Sequence, residues 1–276
     1  MTTRLKVSLV FGNTPNFDKD AFKYFILSIN KIQRTYEFFF PDLESYPFPD
    51  KECKYEVADK IFAKFLKQNG VVADYNLAII TSNFDNNYFL KAGNHTAVIT
   101  TDIWDKYFSP PSVFEYLMHS IICCLIYSQK LPKERVLTDD MRTIYIDSHS
   151  DTRGCIADGT RNKYDDRVDI MLGYICEEHQ NQIKFYYGEE YLKEILFIID
   201  RKWIGTITEK DTVAYNLNHV FRFNINKDSG FNKTFWQKCE DKFYEIPGNI
   251  TGEVLKVIMI AIITYLLIKY GIMSKS

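Results

Sequence analysis

DSHSDTRGCIADGTRNKYDDRVDIMLGYICEEHQ, residues 147–180, holds four of the eleven cysteines and histidines of the chain as two close pairs, His149-x5-Cys155 and Cys176-x2-His179. Twenty residues separate the pairs, enough chain to loop back so that each pair presents two ligands from one turn. Two thiolates and two imidazoles are the donors of a closed tetrahedral zinc site, and the thiolate charges cancel those of Zn²⁺. With every position filled by protein, such an ion has a structural role. Gly154 permits a tight turn before Cys155, and Asp147, Asp151 and Arg153 are placed to hydrogen-bond a ligand imidazole or thiolate. The competing reading, two buried apolar thiols and two surface histidines, suffers from density: the 276 residues contain five His and six Cys, yet four of them fall within thirty-one positions.

Composition frames this site. A content of 46% hydrophobic and 25% charged residues is that of a globular chain able to bury a sizeable core, and a formal charge of −2 offers no basic field for nucleic acid. The opening MTTRLKVSLVFGN lacks the pattern of a secretory signal and reads as a first strand, so a reducing cytoplasm is expected. Cys53, Cys123, Cys124 and Cys239 are then free thiols.

Outward from the site toward the N-terminus, the chain alternates strand and helix. Lys6 to Phe11 is an apolar run ending at Gly12-Asn13. From the N-cap residue Asp18, Phe22, Phe25, Ile26 and Ile29 recur at helical spacing, and Tyr36 to Phe40 is a second strand. A helix follows from about Glu52 with Val57, Ile61, Phe62, Phe65 and Leu66 on its apolar face. Leu77–Thr81 and Ala97–Thr101 are further strands. The order β-α-β-α-β implies an α/β sheet. The loop Gly12-Asn13-Thr14-Pro15 has one glycine and neither G-x-G-x-x-G nor G-x-x-x-x-G-K-[ST], which makes it an ordinary turn without a phosphate-binding motif.

Beyond Pro110-Pro111, Ser112 caps the apolar helix VFEYLMHSIICCLIYS, residues 113–128, a buried central element. Glu115 and His119 stand four apart on it, so carboxylate and imidazole share a face; the options are an internal hydrogen bond that positions the helix, or a ligand or catalytic pair. A Cys–His nucleophilic pair of His149 and Cys155 competes poorly with ligation, because Cys176 and His179 supply the other half of a metal site. Asp165, Asp166 and Asp169 form an acidic cluster read as a solvated face. Gln182–Tyr187 suggests a strand, and Glu189–Ile199 a helix.

In this order of elements, with His119 on the apolar helix and Cys155, Cys176 and His179 after it, the chain resembles the archaemetzincins and related metzincin-like zinc proteins over about residues 1–190. Those carry H-E-x-x-H and a further His on an active-site helix, then a second zinc site of cysteines ending in C-x2-C. Cys155 matches a cysteine of that second site, and Cys176-x2-His179 its C-x2-C end with one ligand replaced. The helix here reads Phe114-Glu115-Tyr116-Leu117-Met118-His119. Glu115 stands where the first histidine of the peptidase motif would be, and no later histidine completes the set. The resemblance therefore implies a fold and a structural zinc without peptidase activity; the alternative it leaves is a non-standard zinc hydrolase using Glu115 and His119.

The expected fold class is thus α/β: a metzincin-like mixed sheet with helices and a Cys₂His₂ zinc site over 1–199, plus a small helical C-terminal module over 200–276. Thr206 or Thr208, and Asn232, are expected helix entries in that module, and His219 a packed histidine. Its last helix, from about Thr251, contains VIMIAIITYLLI between Lys256 and Lys269, twelve residues apolar on every side. That length favours burial or self-association with a protein partner over a membrane anchor through 254–272.

Overall fold

The computed structural model describes residues 4–43, 46–49, 52–93, 95–128, 148–159 and 163–231. The chain divides between Phe231 and Asn232, and the first unit is described here. The expectations for Asp147, Asn232, Cys239 and the apolar helix from Thr251 lie outside the described residues.

The unit is a mixed α/β structure on a mostly parallel sheet. Strands β1 (Leu5–Phe11), β2 (Tyr36–Phe39), β4 (Tyr75–Ile80) and β7 (Thr96–Thr100) run parallel, and β6 (Leu90–Ala92) closes one edge antiparallel to β7, in the order β2-β1-β4-β7-β6. A two-residue pairing of β3 (Glu52–Cys53) with β5 (Asn83–Phe84) stands apart. Every residue of β4 and β7 is buried, as a parallel sheet covered on both faces requires.

Alternation along the strands separates two cores. Val7, Leu9, Leu77, Ile79, Ala97 and Ile99 face the larger one, covered by α1 (Lys19–Ile32) and by α4 (Val113–Ser128), which follows the one-turn helix α3 (Trp104–Tyr107). Val10, Ala78, Ile80 and Val98 face the smaller one, covered by α2 (Tyr55–Gln68). Helix α1 starts where Asp18 accepts the Ala21 N–H, and it buries Phe22, Phe25, Ile26 and Ile29 as their spacing predicts. Each such side chain contributes about 1.5–3 kcal/mol by leaving water. At the β2 edge, Asn30 binds both the N–H and the C=O of Phe38, so its amide stands in for a neighbouring strand.

Four expectations change. Helix α2 begins at Tyr55, because Glu52–Cys53 is drawn into the pairing with β5, and its buried stripe runs Ala58, Phe62, Phe65, Leu66. Val57 and Ile61 flank that stripe, each 37% exposed. Gln182–Tyr187 is no strand: it is the end of helix α6 (Glu177–Tyr187), followed after Gly188 by α7 (Glu189–Asp200). In the C-terminal third the described helix is α8 (Val213–Val220), capped by Thr212 rather than entered at Thr206 or Thr208. Residues 200–231 also belong with the first unit rather than with a separate module. Asn216 donates to the Tyr24 hydroxyl at 2.8 Å, Phe231 bridges to Phe17, and the Val113 N–H donates to the Ser229 carbonyl at 2.8 Å.

Candidate metal centre

The site region touches the far half of α4, where the Cys123 thiol donates to the Ile156 carbonyl at 3.7 Å. After α4, the segment 148–159 folds as a knuckle: the His149 N–H donates to the Ala157 carbonyl, the Gly159 N–H to the His149 carbonyl, and the Asp158 N–H to the Cys155 carbonyl. The turn is closed from inside by the Asp158 carboxylate, whose Oδ2 accepts the Arg153 N–H at 2.6 Å and the Cys155 N–H at 3.1 Å. Gly154 has φ +76°, and a β-carbon there would lie 2.3 Å from Leu172 Cδ1, so this turn admits only glycine without rearrangement. Helix α5 (Lys163–Leu172) then leads to Gly173 (φ +56°) and back, and the Ile156 N–H donates to the Tyr174 carbonyl at 2.8 Å.

The second pair uses a helix start. Cys176 is the N-cap of α6 and His179 lies three residues on, the two positions whose side chains face each other across a first turn. The C-x2-H spacing is therefore a geometric statement: thiol and imidazole meet, with Cys176 Sγ 3.1 Å from His179 Nδ1. From the knuckle, His149 Nε2 reaches 3.2 Å from Cys176 Sγ and Cys155 Sγ lies 3.6 Å from His179 Nδ1. All four donor atoms lie within 4.8 Å of one another, and they could hold a metal ion. Among the described residues no other group of three or more His, Cys, Asp and Glu side chains does so.

Burial pushes the Cys155 thiol up to about 11, against the opposing hydrogen bond from the Cys176 N–H at 3.3 Å. A buried thiol of that kind is inert until a cation displaces its proton. None of the five described cysteines forms a disulfide.

The partners around the ligands differ from expectation. Asp151 and Arg153 pair with each other at 3.0 Å on the surface, and the residue that orders the knuckle is Asp158, which sequence reading passed over. An Asp three residues after Cys155, at the end of a turn, is the type of residue that accepts backbone N–H groups, and that signal was there to be read.

Glu115 and His119 sit elsewhere on α4. Glu115 accepts the Ser112 N–H at 2.9 Å while the Ser112 hydroxyl takes the Glu115 N–H at 3.3 Å, a reciprocal cap of the helix start. Its other oxygen binds Arg201 Nη1 at 2.9 Å, and Nη2 of the same guanidinium holds the Met171 carbonyl at 2.7 Å. No hydrogen bond joins Glu115 to His119 among the described residues. Burial, and secondarily the charge of Arg201, lowers His119 to about 4, so its imidazole is neutral at pH 7. His219, expected to be packed, is exposed and stacks on Tyr215 with ring centroids 3.9 Å apart.

The acidic cluster is not a solvated face throughout, because Asp169 is buried with an Oδ1 that has no hydrogen-bond partner among the described residues. Burial, then the charges of Asp158, Asp166 and Asp165, push its carboxyl up to about 7. An unfolded Asp titrates near about 3.9, so between these values the fold takes up a proton that the unfolded chain has lost. Stability present at low pH is lost as the pH climbs to 7. Asp169→Asn, always neutral, is expected to match the wild type below about pH 4 and exceed it by about 1 kcal/mol at about pH 8, solvent near Asp165 and Asp166 having reduced the full linkage value. Urea unfolding at the two pH values checks this; a variant weaker at the higher pH would mean that the carboxylate is needed charged.

No protein-family model, curated protein or solved structure matches this chain.

Proposed function

We propose that the chain is a zinc-binding protein of metzincin-like design, in which a closed structural Zn²⁺ takes His149, Cys155, Cys176 and His179 as its ligands and peptidase activity is absent. The observation that carries this reading is the convergence of two nitrogens and two sulfurs within 4.8 Å. Tetrahedral zinc with Zn–S of about 2.3 Å and Zn–N of about 2.0 Å needs sulfur–nitrogen edges of about 3.5 Å. The three nitrogen–sulfur distances of 3.1, 3.2 and 3.6 Å lie close to that. The soft, mixed donor set suits zinc better than magnesium or calcium, which take oxygen ligands. The N-terminus of α6 adds a favourable field for the Cys176 thiolate.

A non-catalytic role is supported by Glu115. Both of its oxygens are engaged, by Ser112 and by Arg201, which leaves neither to activate water. In this reading the fold serves as an interaction or regulatory module, and the apolar run at 257–268 supplies contact with a protein partner or a second copy.

Metal analysis of the purified full-length protein should return one zinc per chain, and casein and generic peptides should stay intact with or without added Zn²⁺. Zinc-dependent turnover that disappears in Glu115→Gln would replace this reading by the hydrolase one.

A further inference from the structure

We propose that the cavity at the carboxyl ends of β1 and β2 binds a nucleoside monophosphate, its phosphate held by Lys19 and Lys23 and its base seated against Phe40. The cavity, of about 520 Å³ and open to solvent, is lined by the ends of the two strands and the first turns of α1 and by none of the four Cys–His residues. That volume falls within the roughly 300–1,000 Å³ usual for small-ligand sites, and the carboxyl ends of parallel strands are where open α/β sheets bind their ligands.

Lys19 and Lys23 are one turn apart on α1, so both ammonium groups reach the same side of the helix and both line the cavity. Lys19 is the first residue of α1, where the helix dipole disfavours a cation. Its ammonium lies 5.5 Å above the Phe11 ring, and among the described residues it has no carboxylate partner. A charge kept against a local preference, facing a cavity and left without a counter-ion, is the kind of inconsistency that marks a functional position. Among the described residues, the ion pair of Lys23 is a solvent-exposed contact with Asp20 at 3.7 Å, one that a phosphate can displace.

Two aromatic rings lie in the same lining, beside Lys19. Phe11 and Phe40 stack with centroids 5.3 Å apart and 12° between their planes, and both line the cavity. A purine or pyrimidine can extend that stack, and Asp42, also in the lining, offers acceptors to ribose hydroxyls. The Gly12-Asn13 turn contributes no glycine-rich cradle. The anion would be bound by side chains, which is why a search for phosphate-loop motifs passes over it.

The test is calorimetric titration of the intact, full-length protein with AMP, GMP, CMP and UMP, alongside adenosine and inorganic phosphate. At least one monophosphate should bind, more tightly than adenosine or phosphate alone, and the affinity should fall as salt rises. The double variant Lys19→Gln/Lys23→Gln should weaken it about tenfold or more, while Lys60→Gln on α2 leaves it unchanged, each checked for an unaltered melting curve. Failure of all four monophosphates to bind overturns the proposal, and so does binding that the lysine pair does not affect. Phosphate binding as tightly as the nucleotides removes the base from it. None of these outcomes touches the metal centre, which Lys19 and Lys23 do not approach.

Discussion

Cys176→Ser is expected to strip the metal from the protein and to lower its thermal midpoint by about 10 °C or more, corresponding to about 4 kcal/mol. Serine is itself a good N-cap, so helix α6 keeps its start and the loss reports the ion rather than the helix. The consequence spreads because Cys155, His149 and His179 are buried and depend on one another for position. The rings of His149 and His179 lie edge-on with centroids 4.4 Å apart, and the Cys155 thiol lies 3.6 Å from His179 Nδ1, so loss of the ion would leave these polar groups packed together. Among the described residues, the backbone N–H contacts between the knuckle and the chain entering α6 are those of Ile156 on the Tyr174 carbonyl and of Cys176 on the Cys155 sulfur. A chelator should lower the wild-type midpoint by a similar amount and leave the variant where it is. Acid should act in the same direction: with Cys155 pushed up to about 11, metal binding has to release a proton, and affinity falls as pH falls. A metal-free protein with unchanged melting would sink the structural-ion reading.

What the sequence made legible follows from where the information is local. Asp18 and the Phe22–Ile29 spacing fix α1 because cap and stripe lie within one helix. Cys-x2-His works for the same reason, since N-cap and third helical position are adjacent by construction. His149 and Cys155 could be paired with them because thiols and imidazoles are rare enough in this chain for clustering to carry weight. The misses are tertiary. Glu52–Cys53 is a strand only by virtue of Asn83–Phe84, some thirty residues away. Gln182–Tyr187 has an ambiguous apolar pattern, and its helix is decided by the start at Cys176 and by packing of Ile183 into the core. Residues 200–231 look unlike the α/β alternation before them, yet Phe223 and Ile225 join the same core. Nothing in the neighbourhood of Arg201 announces that its guanidinium crosses to Glu115.

That crossing gives the second large effect. Glu115→Ala should destabilise the protein by about 3 kcal/mol, because it removes the Glu115 half of the reciprocal cap of α4 and leaves a half-buried guanidinium without its counter-charge. The side chains of Arg201 and Glu115 are 22% and 16% exposed, so water can replace the lost carboxylate only in part. Arg201 also occupies a left-handed backbone position, φ 61°, at the end of α7, where its side chain spans α4 and the last turn of α5 through the Met171 carbonyl. Arg201→Met should therefore cost a comparable amount, and the double variant clearly less than the sum of the two, since each single change already breaks the same contact. His119 supplies an independent readout. With the guanidinium gone, one of the two causes holding its imidazole down disappears, and its titration by NMR should move upward from about 4 while burial keeps it below its ordinary value. Additive energies and an unmoved His119 would mean that Arg201 and Glu115 do not act as a pair. Coupled energies together with an upward shift place Glu115 in the scaffold of α4 and leave His119 a neutral imidazole.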